Sequence, residues 1–229
     1  MSASARLARK IELIHPFIGM PARLLLEHPR TRELLPRYLE AGFPLARTLV
    51  PLMEAALERA RVLAPDDPVA AGLAGYLERH IPEEMHSEEP GRAALDDLEA
   101  LGVDGDALLA RLPPPKIAAL IGAQYFWIFH HHPVAILGFL ELEAYHPKPA
   151  TIERLIEKTG LPPDGFRQLR LHAKLDAVHA RDLHRALDAL LLEPWHEQLI
   201  GLSALHSMSL LIDAMLDVVQ NGTGAPISA

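Results

Sequence analysis

Two imidazoles and a carboxylate recur in the run His172-Ala-Lys-Leu-Asp176-Ala-Val-His179. In a helix, positions i, i+4 and i+7 fall within about 60° of one another. The three side chains therefore share one stripe with Leu169 and Leu183, and that stripe faces the core. Burying two histidines and an aspartate without partners costs several kcal/mol. A divalent cation would satisfy all three, and so would an internal His–Asp hydrogen-bond cluster.

Three further carboxylates and a third imidazole have spacings that fit the same chemistry. Glu83 and His86 stand at i and i+3, the Glu-x-x-His spacing by which helix bundles present a carboxylate and an imidazole to paired metal ions. Pro82 perturbs that turn, so Glu84 competes with Glu83, and a solvated acidic helix end is the plainer alternative. Glu143 closes a segment, Val134 to Tyr145, that is apolar nearly all round. There it meets both burial and the negative end of a helix dipole, which a cation or a salt bridge would offset. Glu141 faces elsewhere and reads as a surface charge. Glu54 lies beside the apolar stripe of its helix, while Glu58, next to Arg59 and Arg61, points to solvent. Hard oxygen and borderline nitrogen donors in this proportion suit two iron or manganese ions better than one zinc.

Composition narrows the classes. The chain has 229 residues, Lys+Arg 22 against Asp+Glu 30, and a formal net charge of −8. An acidic surface argues against nucleic acid as a partner. With no cysteine, thiolate nucleophiles, disulfides, Zn–Cys sites and iron–sulfur clusters are excluded. The N-terminal residues lack the apolar core of a secretory signal. The longest apolar stretch, Ile117 to Phe129, is broken by Gln124 and followed by His130-His131-His132, short of the roughly 20 residues a bilayer span needs. The expected location is the cytoplasm, without a membrane partner.

Helical periodicity runs nearly throughout, and prolines and glycines mark the joints. The segments read as helices over 3–14, 31–39, 45–63 (kinked at Pro51), 68–86, 93–101, 106–112, 115–129, 134–145, 151–159, one long helix within 163–191, and 193–219. The expectation is a single all-α domain spanning 1–229, a helical bundle with 221–229 as a flexible tail. The aromatic residues Tyr125 and Trp127 read as core. The triple histidine reads as a helix-terminal cap region. A pocket is expected between the 115–129, 134–145 and 163–191 helices.

The chain resembles the heme-oxygenase-like superfamily, and within it the non-heme di-iron oxidases and oxygenases labelled iron-containing redox enzymes. The resemblance is carried by His80-Ile-Pro-Glu-Glu-Met-His86, Asp97-Leu-Glu-Ala-Leu-Gly102, His132-Pro-Val-Ala-Ile-Leu-Gly138 running to Glu143, and His172-x3-Asp176-x2-His179, in the family's order. It implies a heme-oxygenase-like helical bundle holding two Fe(II) ions per chain, with manganese as an alternative. The ligands it implies are Glu54, Glu83, His86, Glu143, His172, Asp176 and His179. Its implied partners are O₂ and a small amino-acid-derived or fatty-acid-like substrate, undergoing N-oxygenation, desaturation or oxidative C–C cleavage. Sister families fit less well: thiaminase-II-like enzymes need a catalytic cysteine, and a heme oxygenase needs a proximal histidine where His15 here precedes Pro16. A metal-free enzyme or binding protein of this fold, using the His/Glu cluster for acid–base chemistry, is the alternative. The apolar 199–219 stretch could form a homodimer face.

Overall fold

The computed structural model describes residues 1–85, 89–145 and 147–222, apart from the side chains of residues 176 and 177. Among the described residues there is no strand. The order is α1 (Ala3–Ile11), α2 (His15–Ile18), α3 (Met20–Glu27), α4 (Thr31–Leu63), α5 (Pro68–Glu84), α6 (Arg92–Ala100), α7 (Gly105–Ala110), α8 (Pro115–His130), α9 (Ile136–Leu140), α10 (Pro149–Thr159), α11 (Arg167–Ala189) and α12 (Pro194–Asn221). Short 3₁₀ turns cover Pro133–Ala135, Glu141–Tyr145 and Pro163–Phe166. The expected tail from residue 221 falls, beyond Gly222, outside the described residues.

Helix α4 crosses the whole bundle and packs against α5, α8 and α12, while α12 packs against α8 and α9. Leu52, Met53, Leu73, Leu77, Leu137 and Met208 meet in the main core. By length and composition α12 could cross a bilayer, but 56% of its most apolar window is buried inside this fold. A polar exception ties α8 to α12: buried Gln124 donates to Ser207 Oγ at 2.9 Å and accepts from Ser203 Oγ at 3.1 Å. Gln124 thus breaks the apolar run for a structural reason.

Two elements differ from the sequence expectation. The 31–39 and 45–63 helices are one 33-residue helix, with Pro36, Pro44 and Pro51 inside it. Each proline removes a backbone donor, at about 3 kcal/mol or more. The spacing of roughly two turns keeps the lost bonds on one side of the helix. Burial of Leu34, Leu35, Phe43, Leu52 and Met53 offsets the cost. The 134–145 segment, in contrast, is not one helix but a 3₁₀ turn, five α-helical residues and a second 3₁₀ turn.

Gly138 explains how that broken segment sits so deep. A Cβ there would lie 2.2 Å from Ile200 O and 2.8 Å from Ala204 N, both backbone atoms of α12 that cannot rotate away. Gly138→Ala is therefore expected to cost about 3 kcal/mol in denaturant unfolding, at the upper end of overpacking. An unchanged midpoint would show that α9 and α12 are not in close contact.

Helix α11 is set by a buried side chain from another element. Asp97 of α6 accepts from the Gln168 backbone N–H at 2.6 Å and from Arg167 Nε at 3.1 Å. The carboxylate thus caps the positive end of α11, which carries the His172-x3-Asp176-x2-His179 run.

Candidate metal centre

Four buried side chains from three elements converge. Helix α5 supplies His80 and Glu84, one turn apart; the Glu141–Tyr145 turn supplies Glu143; α11 supplies His179. One ligand atom from each lies within 4.8 Å of every other. Glu84 Oε1 is 2.8 Å from His179 Nδ1 and 4.0 Å from His80 Nε2. Glu143 Oε2 is 3.6 Å from each of those nitrogens. Exposure is 2% for His80, 7% for Glu84, 6% for Glu143 and 4% for His179, so bulk water does not satisfy them. Yet neither His80 nitrogen, nor Glu84 Oε1, nor His179 Nδ1 makes a hydrogen bond of acceptable geometry. The groups are close enough to attract and poorly aligned to bond, as expected of atoms arranged around a common ligand.

The charges fit that ligand being a divalent cation. Two carboxylates neutralise a 2+ ion and two neutral imidazoles complete a mixed nitrogen–oxygen set of the kind iron and manganese accept. With no ion, protons take its place. Contacts with Glu143 and then Glu84, against the opposing effect of burial, push His179 up to about 10. Burial works against charge on His80, but Glu143 and Glu84 outweigh it and its pKa also rises. Burial pushes Glu143 up, and the two imidazoles more than reverse this, holding it below the usual carboxylate range.

Of the residues singled out in the sequence, Glu143 and His179 stand in this cluster. His172 is half-buried on the wall of a neighbouring cavity, and its Nε2 accepts from Gln168 Nε2 at 2.7 Å. Glu83 is half-exposed and faces the outer edge of the cluster: its Oε2 is 3.5 Å from His80 Nδ1 and 4.0 Å from His179 Nε2. Glu54 is exposed on α4, as is Glu58, and the cluster does not include it. Asp176 lies on α11 with its side chain outside the described set, and His86 lies outside the described residues altogether. Sequence reasoning did not single out His80 as a candidate and set Glu84 behind Glu83. The signal was present, because Leu73, Leu77, His80 and Glu84 recur at the 4-3-4 spacing of one buried helical stripe.

Glu141 is not the surface charge expected. It is 2% exposed, and His184 Nε2 of α11 lies 3.1 Å from it. The change from α to 3₁₀ winding turns successive carboxylates by about 120° per residue. One strip of turn can thereby address His179 with Glu143 and His184 with Glu141.

Beside the cluster lies a cavity of about 680 Å³, with Glu84, Glu143 and His172 in its wall. Its walls come from α2, α3, α4, α5, α6, α9, α10, α11, α12 and the Glu141–Tyr145 turn, and no residue of α8 lines it. Of the three helices expected to enclose the pocket, the 134–145 and 163–191 segments line this cavity and the 115–129 helix does not. The cause is that α8 spends its apolar surface on α4 and α12.

Tyr76 packs its ring on His80, with centroids 5.2 Å apart and planes 19° from parallel. Its hydroxyl is buried without a hydrogen-bond partner. Removing an unpaired buried hydroxyl should stabilise metal-free protein, so Tyr76→Phe is expected to gain about 1 kcal/mol in thermal unfolding. A loss of stability would mean that the hydroxyl has a partner.

A second group, Asp67, His132 and His196, also brings ligand atoms within 4.8 Å of one another. Its hydrogen bonds argue against a metal. His132 Nδ1 accepts from the Val134 N–H and His196 Nδ1 from the Glu193 N–H, each at 3.1 Å. Both rings therefore carry their proton on Nε2, the atom a cation would need, and His132 spends it on Asp67 Oδ2 at 3.1 Å. Asp67 in turn caps α5 through the N–H groups of Val69 and Ala70. This is a joint between helix ends, in keeping with the cap role expected of the triple histidine.

Comparison with known proteins came down to one family and one fold. The profile of a family described as "Iron-containing redox enzyme" matches residues 69–211. No curated protein matches the chain. A domain of unknown function with a heme oxygenase-like fold from Shewanella denitrificans superposes with a TM-score of 0.76 at 20% identity, covering 96% of this chain and 95% of that one. A TenA homolog from Pseudomonas syringae pv. tomato gives 0.68 at 14% identity, with 96% and 93% covered. A CADD-like protein of unknown function from Nostoc punctiforme gives 0.65 at 18%, with 95% and 97% covered. The fold is therefore heme-oxygenase-like.

Proposed function

Since the chain belongs to the family of iron-containing redox enzymes, we propose that it is a non-heme iron oxidase or oxygenase acting with O₂ on a small organic substrate. His80, Glu84, Glu143 and His179 hold its first ferrous ion. A second ion draws on α11, where His172 stands two helical turns before His179 with Asp176 between them, giving two per chain. The observation that carries this reading is the convergence of four buried side chains, two carboxylates and two imidazoles from three elements, whose ligand atoms lie within 4.8 Å of one another.

Ferrous iron supplies the one-electron chemistry that O₂ requires and open coordination positions for it. The protein's part follows from its residues. Glu84 and Glu143 neutralise the ion, so that no net charge is buried. Glu83 faces the outer nitrogens, His80 Nδ1 and His179 Nε2, where a carboxylate holds the ring protons and leaves His80 Nε2 and His179 Nδ1 for the ion. Apolar walls of the cavity keep water from the reacting atoms.

Anaerobic Fe(II) titration of metal-stripped protein followed by O₂ uptake tests the reading. About two Fe per chain and iron-dependent O₂ consumption, both lost in His179→Ala, are expected. Iron-independent turnover of a substrate, or binding unaffected by His179→Ala, would replace it with metal-free acid–base chemistry.

A further inference from the structure

Helix α5, helix α12 and the turn that leads into α9 all begin at one buried joint. Asp67 caps α5, and His132 Nδ1 accepts from the Val134 N–H at 3.1 Å. His196 Nδ1 accepts from the Glu193 N–H at 3.1 Å and so closes a capping box at the start of α12. The two rings lie 5.0 Å apart between centroids and are only 3% and 4% exposed. His196 Nε2 is buried without a hydrogen-bond partner. The Pro133–Ala135 turn packs against α4, α5, α8, α9 and α12, so the joint ties these helices together.

A neutral imidazole has one ring proton, and in both rings the backbone contacts put it on Nε2. A further proton can go only to Nδ1, where each ring already faces an N–H. The acceptor then becomes a donor aimed at a donor, and the cap bond is lost. With both rings charged, two buried cations stand side by side.

The surrounding charges do not remove this conflict. Asp67 Oδ2, 3.1 Å from His132 Nε2, favours the protonated rings, and so does Glu193 at His196; Arg59 of α4 opposes it at His132. Helix α9 (Ile136–Leu140) has no titratable side chain, exposed His130 and His131 pack on Phe126, and Glu197 pairs with Arg6. Burial outweighs the carboxylates and holds both imidazoles below their ordinary 6.5. His80, His179 and His184 are raised and keep their protons through the same window in metal-free protein.

We propose that His132 and His196 form an acid-released latch, in which a proton on either Nδ1 uncaps its helix start and parts α12 from the turn before α9. Both freed segments run into the close contact of Gly138 with Ile200 O and Ala204 N, so the α9–α12 packing loosens next. The unfolded chain takes up these protons near pH 6.5 and the fold only further down, so the latch costs stability as pH falls below 6.5.

Nuclear magnetic resonance of ¹⁵N-labelled metal-free protein reads each step. Long-range ¹H–¹⁵N correlations should show both rings as the Nε2–H tautomer at pH 7, titrating below pH 6.5. The Val134 and Glu193 amides should shift with the same midpoints and lose about tenfold in exchange protection, the worth of one hydrogen bond. His132→Asn/His196→Gln cannot titrate but keeps an acceptor at each start, the second as a capping-box glutamine. It should match wild type in urea at pH 7 and outlast it at pH 5. The wild-type titration decides the proposal even where the variant does not fold. A ring that titrates at pH 6.5 or above, amides that ignore the titration, or a folded variant as acid-sensitive as wild type would overturn it.

Discussion

Glu84→Gln is expected to lower Fe(II) affinity by roughly a hundredfold or more. A four-ligand site that binds with 10 kcal/mol or more shares that energy over four bonds. The substitution also leaves the ion with one buried counter-charge in place of two, at a residue 7% exposed. The neighbouring carboxylates grade the effect. Glu83→Gln, which changes only the group facing the outer ring nitrogens, should cost about tenfold, the lower end of what such supporting carboxylates contribute. Glu54→Gln, on the exposed face of α4, should cost nothing. Anaerobic titration of the three variants checks this order. A larger loss for Glu54 than for Glu84 would move the site toward the set implied by family resemblance and away from the converging four.

Iron binding should be steeply dependent on pH. Without metal, His179 holds its proton up to about pH 10, and His80 is raised as well. An ion binding through these rings must displace both protons. Affinity should then climb at least about tenfold per pH unit above neutrality, with the His179 proton released on binding and His80 adding to it, readable by calorimetry in buffers of different ionisation enthalpy. Stability moves the opposite way without metal. A histidine bound more tightly to its proton in the fold than in the unfolded chain stabilises the fold fully below pH 6.5, and that stabilisation disappears as pH rises through about 10. Metal-free protein should lose thermal stability across that window, and iron-loaded protein should gain it. A flat profile for both would mean that His179 carries no extra proton.

Element type and the all-α fold were legible because apolar residues recur at helical spacing almost without interruption. What could not be read was how tertiary burial overrides local rules. Three prolines announce breaks in α4, and the core on its buried side keeps it whole. Conversely, an apolar run from 134 to 145 announces one helix, yet only the five residues around Gly138, pressed on the α12 backbone, are α-helical, with 3₁₀ turns on either side. That break inverts Glu141, because a two-residue offset in a continuous helix says nothing about side-chain direction after a change of winding. In the site, Glu143 and His179 were visible from buried stripes. The same test applied from Leu73 and Leu77 onward reaches His80 and Glu84. The Glu-x-x-His spacing drew attention to Glu83 and His86 instead, one residue before and two residues after Glu84 in the sequence.

Iron-edge anomalous diffraction from crystals loaded anaerobically with Fe(II) tests the central claim most directly. The account predicts a peak within bonding distance of His80 Nε2, His179 Nδ1, Glu84 Oε1 and Glu143 Oε2, with any second peak toward His172. A peak between Asp67, His132 and His196, or none at the four-residue cluster in loaded crystals, would contradict it.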